Sequence, residues 1–205
     1  MAEKNYLKDV YGLKSVADTE EHYDGWSSSY DADMDQNQYA TPGRIAAALA
    51  GLMSDKSAPI LDFGCGTGIS GAAMHAVGFR AIDGCDLSDG MLKQAREKQA
   101  YRTLWQAEPM QPLPVNPGDY AAIAAVGVVS IGAAPPETMD MLIDALAPGG
   151  LFTFSFNGHT IVDPRFEARV QHHLDTGTCA QVLRQEGEHL PGINLRSTIF
   201  VLKRL

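Results

Sequence analysis

The residues best suited to chemistry stand together in Ile60-Leu61-Asp62-Phe63-Gly64-Cys65-Gly66-Thr67-Gly68, with a second acid, Asp86, further on. Gly64, Gly66 and Gly68 carry no Cβ, so the backbone can take positive φ and a ligand can approach the main chain. The helix expected from Ile69 to Val77, stopped by Gly78, turns its unpaired N–H groups and positive end toward whatever lies over the turn. Asp62 places a carboxylate just before the glycines, where it would attract a cationic group directly or through water. Cys65 lies inside the turn. A helix N-terminus can activate a thiol there, but a small residue filling a tight turn is the simpler reading.

Two cofactor chemistries fit this arrangement. From Gly66 to Gly71 the chain matches the dinucleotide pattern G-x-G-x-x-G, with Asp86 about twenty residues on, as expected of a ribose-binding acid. That reading implies an NAD(P)-dependent oxidoreductase. Against it, a pyrophosphate needs a helix end free of nearby negative charge, and such an enzyme usually needs a second domain for its substrate. Asp62 through Gly68 instead resembles motif I of the class I S-adenosylmethionine-dependent methyltransferases, an acid followed by three alternating glycines.

Further segments carry the same resemblance over nearly the whole chain. Asp86-Leu87-Ser88-Asp89-Gly90-Met91 is similar to the family's segment after motif I, where the acid takes both ribose hydroxyls. Gln106-Ala107-Glu108 is similar to its Asp-Ala-Glu, in which the acid accepts from the adenine amino group and the next N–H donates to the ring; here a neutral Gln stands for the acid. Val126-Gly127 and Ala147-Pro148-Gly149-Gly150-Leu151 resemble the motifs after strand four and before strand five. With Tyr23, Trp26 and Tyr30 upstream, the chain resembles the small-molecule branch that includes the methyltransferase-like proteins named for the Williams-Beuren syndrome region. The resemblance implies S-adenosylmethionine as cofactor and S-adenosylhomocysteine as product. It also implies cofactor contacts from Trp26, Tyr30, Asp62, Gly64, Cys65, Gly66, Gly68, Asp86, Leu87, Met91, Gln106, Ala107, Glu108, Val126 and Gly127. A protein that keeps the cofactor without turnover is the other alternative.

The acceptor is read from weaker signals. Nucleic-acid amino-methyltransferases carry an Asp/Asn-Pro-Pro-aromatic motif after strand four, whereas this chain has Gly127-Val128-Val129-Ser130 there. Its Pro135-Pro136 comes later, before Glu137. A net charge of -9 also disfavours a phosphate-coating surface. A small-molecule acceptor is expected. His159, just after strand five, is the histidine nearest the expected mouth of the sheet and the candidate base, with Asn157 as a candidate for orienting a polar substrate. Three cysteines without C-x-x-C spacing and scattered histidines give no metal site. No apolar run reaches membrane-spanning length and no signal-peptide pattern opens the chain, so a cytoplasmic protein, monomer or homodimer, is expected.

Alternating strand and helix signals imply an α/β fold: a Rossmann-like, seven-stranded, mostly parallel sheet with helices on both faces and an N-terminal helical lid. Strands are expected near 59–63, 80–86, 102–106, 120–126, 151–156, 180–188 and 196–202. Helices are expected over 15–30, 42–53, 69–77, from Ser88 onward, and over 136–146 and 166–174. Prolines from Pro109 to Pro117 exclude regular structure between strands three and four. In this single domain of 205 residues, residues 1–57 form the cap and 58–205 the core, with Tyr23, Trp26, Tyr30 and Tyr39 available to contact a sulfonium.

Overall fold

Short apolar runs in the middle of the chain form the buried parallel strands that such runs favour: β1 (Ile60–Phe63), β2 (Ile82–Asp86), β3 (Thr103–Gln106), β4 (Ala122–Ala125) and β5 (Leu151–Asn157). Two longer strands, β6 (Cys179–Leu190) and β7 (Leu195–Arg204), close the sheet in the order β3-β2-β1-β4-β5-β7-β6, with β7 antiparallel to both neighbours. The computed structural model describes residues 5–13, 15–108 and 111–205. Pro109 of the proline-rich connection and residues 1–4 and 14 of the expected cap lie outside these.

Side chains alternate across the sheet, and each face has its own core. On one face Ile60, Ile82, Ala122 and Ala124 pack with Ile45 and Leu49 of α4 (Thr41–Leu52) and Met74 of α5 (Ile69–Ala76). On the other, Phe152, Phe154, Phe156, Phe166 and Phe200 form an aromatic stack beneath α7 (Thr138–Asp144) and α8 (Pro164–Asp175). Between β2 and β3, α6 (Asp89–Glu97) begins at Ser88, whose hydroxyl accepts from Met91 N at 3.0 Å, as its sequence position predicts.

The cap departs from expectation in two places. Instead of one helix over 15–30, α2 (Val16–Trp26) and α3 (Tyr30–Gln36) are separated by Ser27-Ser28-Ser29, and Ser27 Oγ turns back to Asp24 O at 2.7 Å. Serines compete with the helix for backbone hydrogen bonds in this way. A short helix, α1 (Tyr6–Asp9), precedes them. α4 begins at Thr41, one residue before the expected start, and the Thr41 hydroxyl meets His189 Nδ1 at 2.8 Å and Ser197 Oγ at 2.9 Å instead of an N–H of its own helix.

At β2, Asp83 is buried and paired with Arg102 (Nη2 at 2.5 Å, Nε at 2.9 Å) and with Tyr120 OH at 3.0 Å. Burial pushes its carboxyl up, but the bonds from Arg102 and Tyr120 outweigh this and hold it below the usual range. A depressed folded value adds stability that is present above the ordinary carboxylate pKa and lost as pH falls through the folded one. Arg102→Met is therefore expected to cost about 1–3 kcal/mol at pH 7. Urea unfolding should find the difference from wild type shrinking as pH falls below about 4 and gone only below the depressed folded value, where Asp83 is protonated in both proteins.

Candidate functional site

The glycine turn does what its composition predicts. Gly64, Gly66 and Gly68 have φ of 65°, 54° and 88°, values that disfavour any side chain. Their surroundings differ. A Cβ on Gly64 would stand 2.5 Å from Val128, and one on Gly68 would press Tyr101 and Ala95, but one on Gly66 meets nothing within 4 Å. Gly66 is thus the point where the turn faces open space, across a narrow cavity from Tyr30, Tyr39, Pro42 and Val126. Cys65 is buried and burial pushes its thiol well up, so it fills the turn without the character of a nucleophile.

Two acids flank the turn. Asp86 Oδ2 accepts from Gly66 N at 2.8 Å and Oδ1 from Ser88 N at 2.9 Å. Burial raises its pKa against those bonds. Asp62 is fully buried in β1, opposite Gly84 of β2 and Ala124 of β4. Its Oδ2 accepts from Ser70 Oγ at 2.6 Å and Tyr101 OH at 2.7 Å, while buried Oδ1 has no hydrogen-bond partner among the described residues. Burial raises the Asp62 pKa to about 6, opposed by the bonds from Ser70 and Tyr101 and aided by Asp86.

Gly71, which completes the dinucleotide pattern, has a different reason to be glycine. A Cβ there would fall 2.2 Å from Tyr101 Cζ, and one on Gly84 2.8 Å from the same ring. Both glycines make room for Tyr101. The match to G-x-G-x-x-G therefore reflects packing of an aromatic ring.

Other expected residues fall at varied distances from the cavity. Tyr30 lines it, but Trp26 lies inside the cap, parallel to Tyr6 at 5.8 Å and donating from Nε1 to Asp33 at 2.6 Å. Met91 is buried with Trp26. Leu87 O accepts from Gln106 Nε2 at 2.8 Å, which leaves Gln106 Oε1 as an acceptor. Ala107 N is committed to Asp86 O at 2.9 Å, so the expected donor to an adenine ring is already used. Glu108 is exposed. Val126 faces the cavity, and Gly127, with φ of 75°, lies under the Tyr39 hydroxyl. His159 is exposed, its ring 4.3 Å from that of Tyr11. Asn157 Oδ1 accepts from His159 N, Thr160 N and Thr160 Oγ1, so its carbonyl shapes the turn that carries His159.

Several residues at the site have no motif to announce them. Asp31 of α3 accepts from Thr67 Oγ1 at 2.5 Å and pairs with Lys98. Asp24 of α2 accepts from Ser88 Oγ and from Gly90 N at 3.0 Å. Behind Tyr39, His189 meets its ring at 84° and 5.2 Å; burial lowers the imidazole pKa to about 4, so it is neutral at pH 7. Among the described residues no three His, Cys, Asp or Glu side chains gather to hold a metal, and no helix is long and apolar enough to cross a membrane.

Residues 60–150 match a family described as a methyltransferase domain. Over 148 residues, 71% of this chain, the sequence is 33% identical to human methyltransferase-like protein 27. The chain belongs to the class I S-adenosylmethionine-dependent methyltransferase superfamily. The match spans 60% of the human protein's length. Two solved structures share the fold. One is an S-adenosylmethionine-dependent methyltransferase of Thermotoga maritima described as a possible histamine N-methyltransferase (TM-score 0.64, 12% identity, 91% of this chain and 99% of that one). The other is magnesium protoporphyrin IX methyltransferase of Synechocystis PCC 6803 with S-adenosylmethionine bound (TM-score 0.62, 16% identity, 98% and 90%).

The residues present fit the superfamily's cofactor. The turn opens at Gly66, and the buried, unpartnered Asp62 Oδ1 suits a cationic amino-acid end better than a pyrophosphate. That oxygen costs stability when nothing binds it. The folded value of about 6 lies above the ordinary 3.8, so the folded chain holds an extra proton between those values and stability falls as pH rises from about 4 to about 6. Asp62→Asn is expected to stabilise the ligand-free protein by roughly 1–3 kcal/mol at pH 7.5. In urea unfolding, that gain should vanish toward pH 4.

Proposed function

We propose that this protein is an S-adenosylmethionine-dependent methyltransferase acting on a small-molecule acceptor. The observation that carries the reading is the glycine turn, open at Gly66 between the buried Asp62 and the half-buried Asp86. Asp86 would hold the ribose hydroxyls. Its bonds to backbone N–H groups do not exhaust the lone pairs of a carboxylate, which leaves it able to accept from a further donor. Gln106 Oε1 would accept from the adenine amino group beside Leu87 and Met91, and the main chain from Gly64 to Gly68 would lie along the amino-acid end. Ala107 and Glu108 would shape the adenine edge, with the Ala107 N–H kept in its bond to Asp86.

The bound cofactor supplies a methyl group already activated on a sulfonium, so the chain's task is to position an acceptor and exclude water. Alignment alone can account for about 7–11 kcal/mol of a barrier. Tyr30 and Tyr39 form the wall over the turn; burial raises both hydroxyl pKa values, so both stay neutral. Rings of this kind attract a sulfonium by about 0.5–2 kcal/mol each. Trp26 supports Tyr30 from within the cap, ring centroids 4.7 Å apart.

The acceptor would enter between Val126-Gly127, Tyr39 and the turn that carries His159. A hydroxyl or ammonium acceptor must lose a proton before or during transfer, and the exposed His159 ring, set by Asn157 and backed by Tyr11, would take it. The acidic chain and the absence of a base-holding motif after β4 support a small acceptor over a nucleic acid.

S-adenosylhomocysteine at a hundredfold excess over its dissociation constant is expected to stabilise the fold by about 2.7 kcal/mol, read as a rise in Tm. NAD should leave Tm unchanged; the reverse result overturns the reading. Asp86→Ala should weaken S-adenosylhomocysteine binding at least tenfold, the minimum for a lost charged hydrogen bond of about 1.5 kcal/mol. Transfer of a labelled methyl group to a member of a metabolite panel tests the acceptor class, and transfer only to RNA or protein contradicts it.

A further inference from the structure

We propose that Tyr101 is a positioning residue of the cofactor site, holding Asp62 through one oxygen so that the other remains available to the cofactor's ammonium group. The inference rests on the methyltransferase reading and deepens it.

Tyr101 lies between α6 and β3, outside every motif in the chain, yet the fold is cut to admit it. Its ring crosses the face of the sheet where Asp62 and Gly84 are neighbours, and it occupies space that a Cβ on Gly68, Gly71 or Gly84 would invade. Three glycines, one in the turn, one in the first turn of α5 and one in a central strand, converge on a single side chain. At the end of this channel the hydroxyl accepts from Gly71 N at 3.1 Å and donates to Asp62 Oδ2 at 2.7 Å. Each partner fixes the other's role. The Gly71 N–H can only donate, so the phenol hydrogen is free to go to the carboxylate.

Ser70 Oγ completes the grip on Oδ2 at 2.6 Å. Two donors on one oxygen leave Oδ1, in a fully buried residue, without a partner among the described residues. The other groups that face Asp62 offer no positive charge: Asp86 repels it, and Tyr39, Cys65 and Cys85 are neutral groups whose own ionisation it opposes. A cation delivered to Oδ1 therefore meets no competitor among these groups. Tyr101 and Ser70 also favour the ionised carboxylate against the burial that disfavours it.

Calorimetric titration of the full chain with S-adenosylhomocysteine between pH 5 and pH 8 tests this. Wild type should bind more weakly as pH falls through about 6, approaching tenfold per pH unit, as Asp62 takes up a proton. Tyr101→Phe keeps the ring and removes the donor. Its binding midpoint should move up by about one pH unit, with several-fold weaker binding at pH 6.5 and recovery to within about twofold of wild type at pH 8. Ser70→Ala should move the midpoint the same way, and Asp62→Asn should flatten the profile.

A Tyr101→Phe midpoint equal to that of wild type, or a loss of affinity equal at every pH, would make Tyr101 a packing wedge and overturn the proposal while leaving the methyltransferase reading intact. Failure of wild type to bind S-adenosylhomocysteine at any pH would overturn both.

Discussion

A carboxylate in the middle of a parallel sheet is an expensive thing to build, and the site depends on how Asp62 is kept there. Its neighbours across the sheet are Gly84 and Ala124, which offer no polar group from their side chains. Buried charge of this kind demands compensation. Compensation comes from α5 through Ser70 and from the segment before β3 through Tyr101, and it is incomplete, because Oδ1 has no partner among the described residues. The local design follows from that choice: Gly71 and Gly84 are small so that the phenol can reach the acid.

The cap is tied to this site by the same currency of acids and N-terminal donors. Asp24 and Ser88 share the start of α6, where free N–H groups and the helix dipole favour negative charge. Asp31 ties α3 to Thr67 in the glycine turn and to Lys98 beyond α6. Tyr30 and Tyr39 are thereby set over the cavity by contacts at both of its ends. Arg44 secures the far side, donating to the carbonyls of Gln185, Glu188 and Ser197 and so tying α4 to the β6–β7 pair.

What could be read from the sequence follows the range of the interaction. The glycine turn, the Ser88 cap and the succession of strands and helices along the chain depend on near neighbours or on simple alternation, and all carry a local signal. Tyr101 does not, because its partner is 39 residues away. Only the presence of glycine at 71 and 84, in a helix and a strand that would both favour a side chain, hints that something large passes there. Trp26 was expected at the cofactor because aromatic residues are suited to it. Its indole N–H instead bonds Asp33, a choice set by how α2 folds against α3. The break at Ser27-Ser28-Ser29 was masked by the helical pattern on either side, and the Thr41 hydroxyl was claimed by a histidine 148 residues away.

Synthesis runs from the N-terminus, so the cap helices leave the ribosome well before the elements they rest on. Trp26 and Met34 share their core with Met91 of α6 and Leu190 at the end of β6. Until β6 and α6 are in place, Leu190 and Met91 are missing from that core, and α2 and α3 are too short to hold as isolated helices. These helices thus rest on partners that follow them in the chain. The cover over the glycine turn shares its core with α6 and the end of β6, so a change at Met91 or Leu190 reaches the cover without touching the turn.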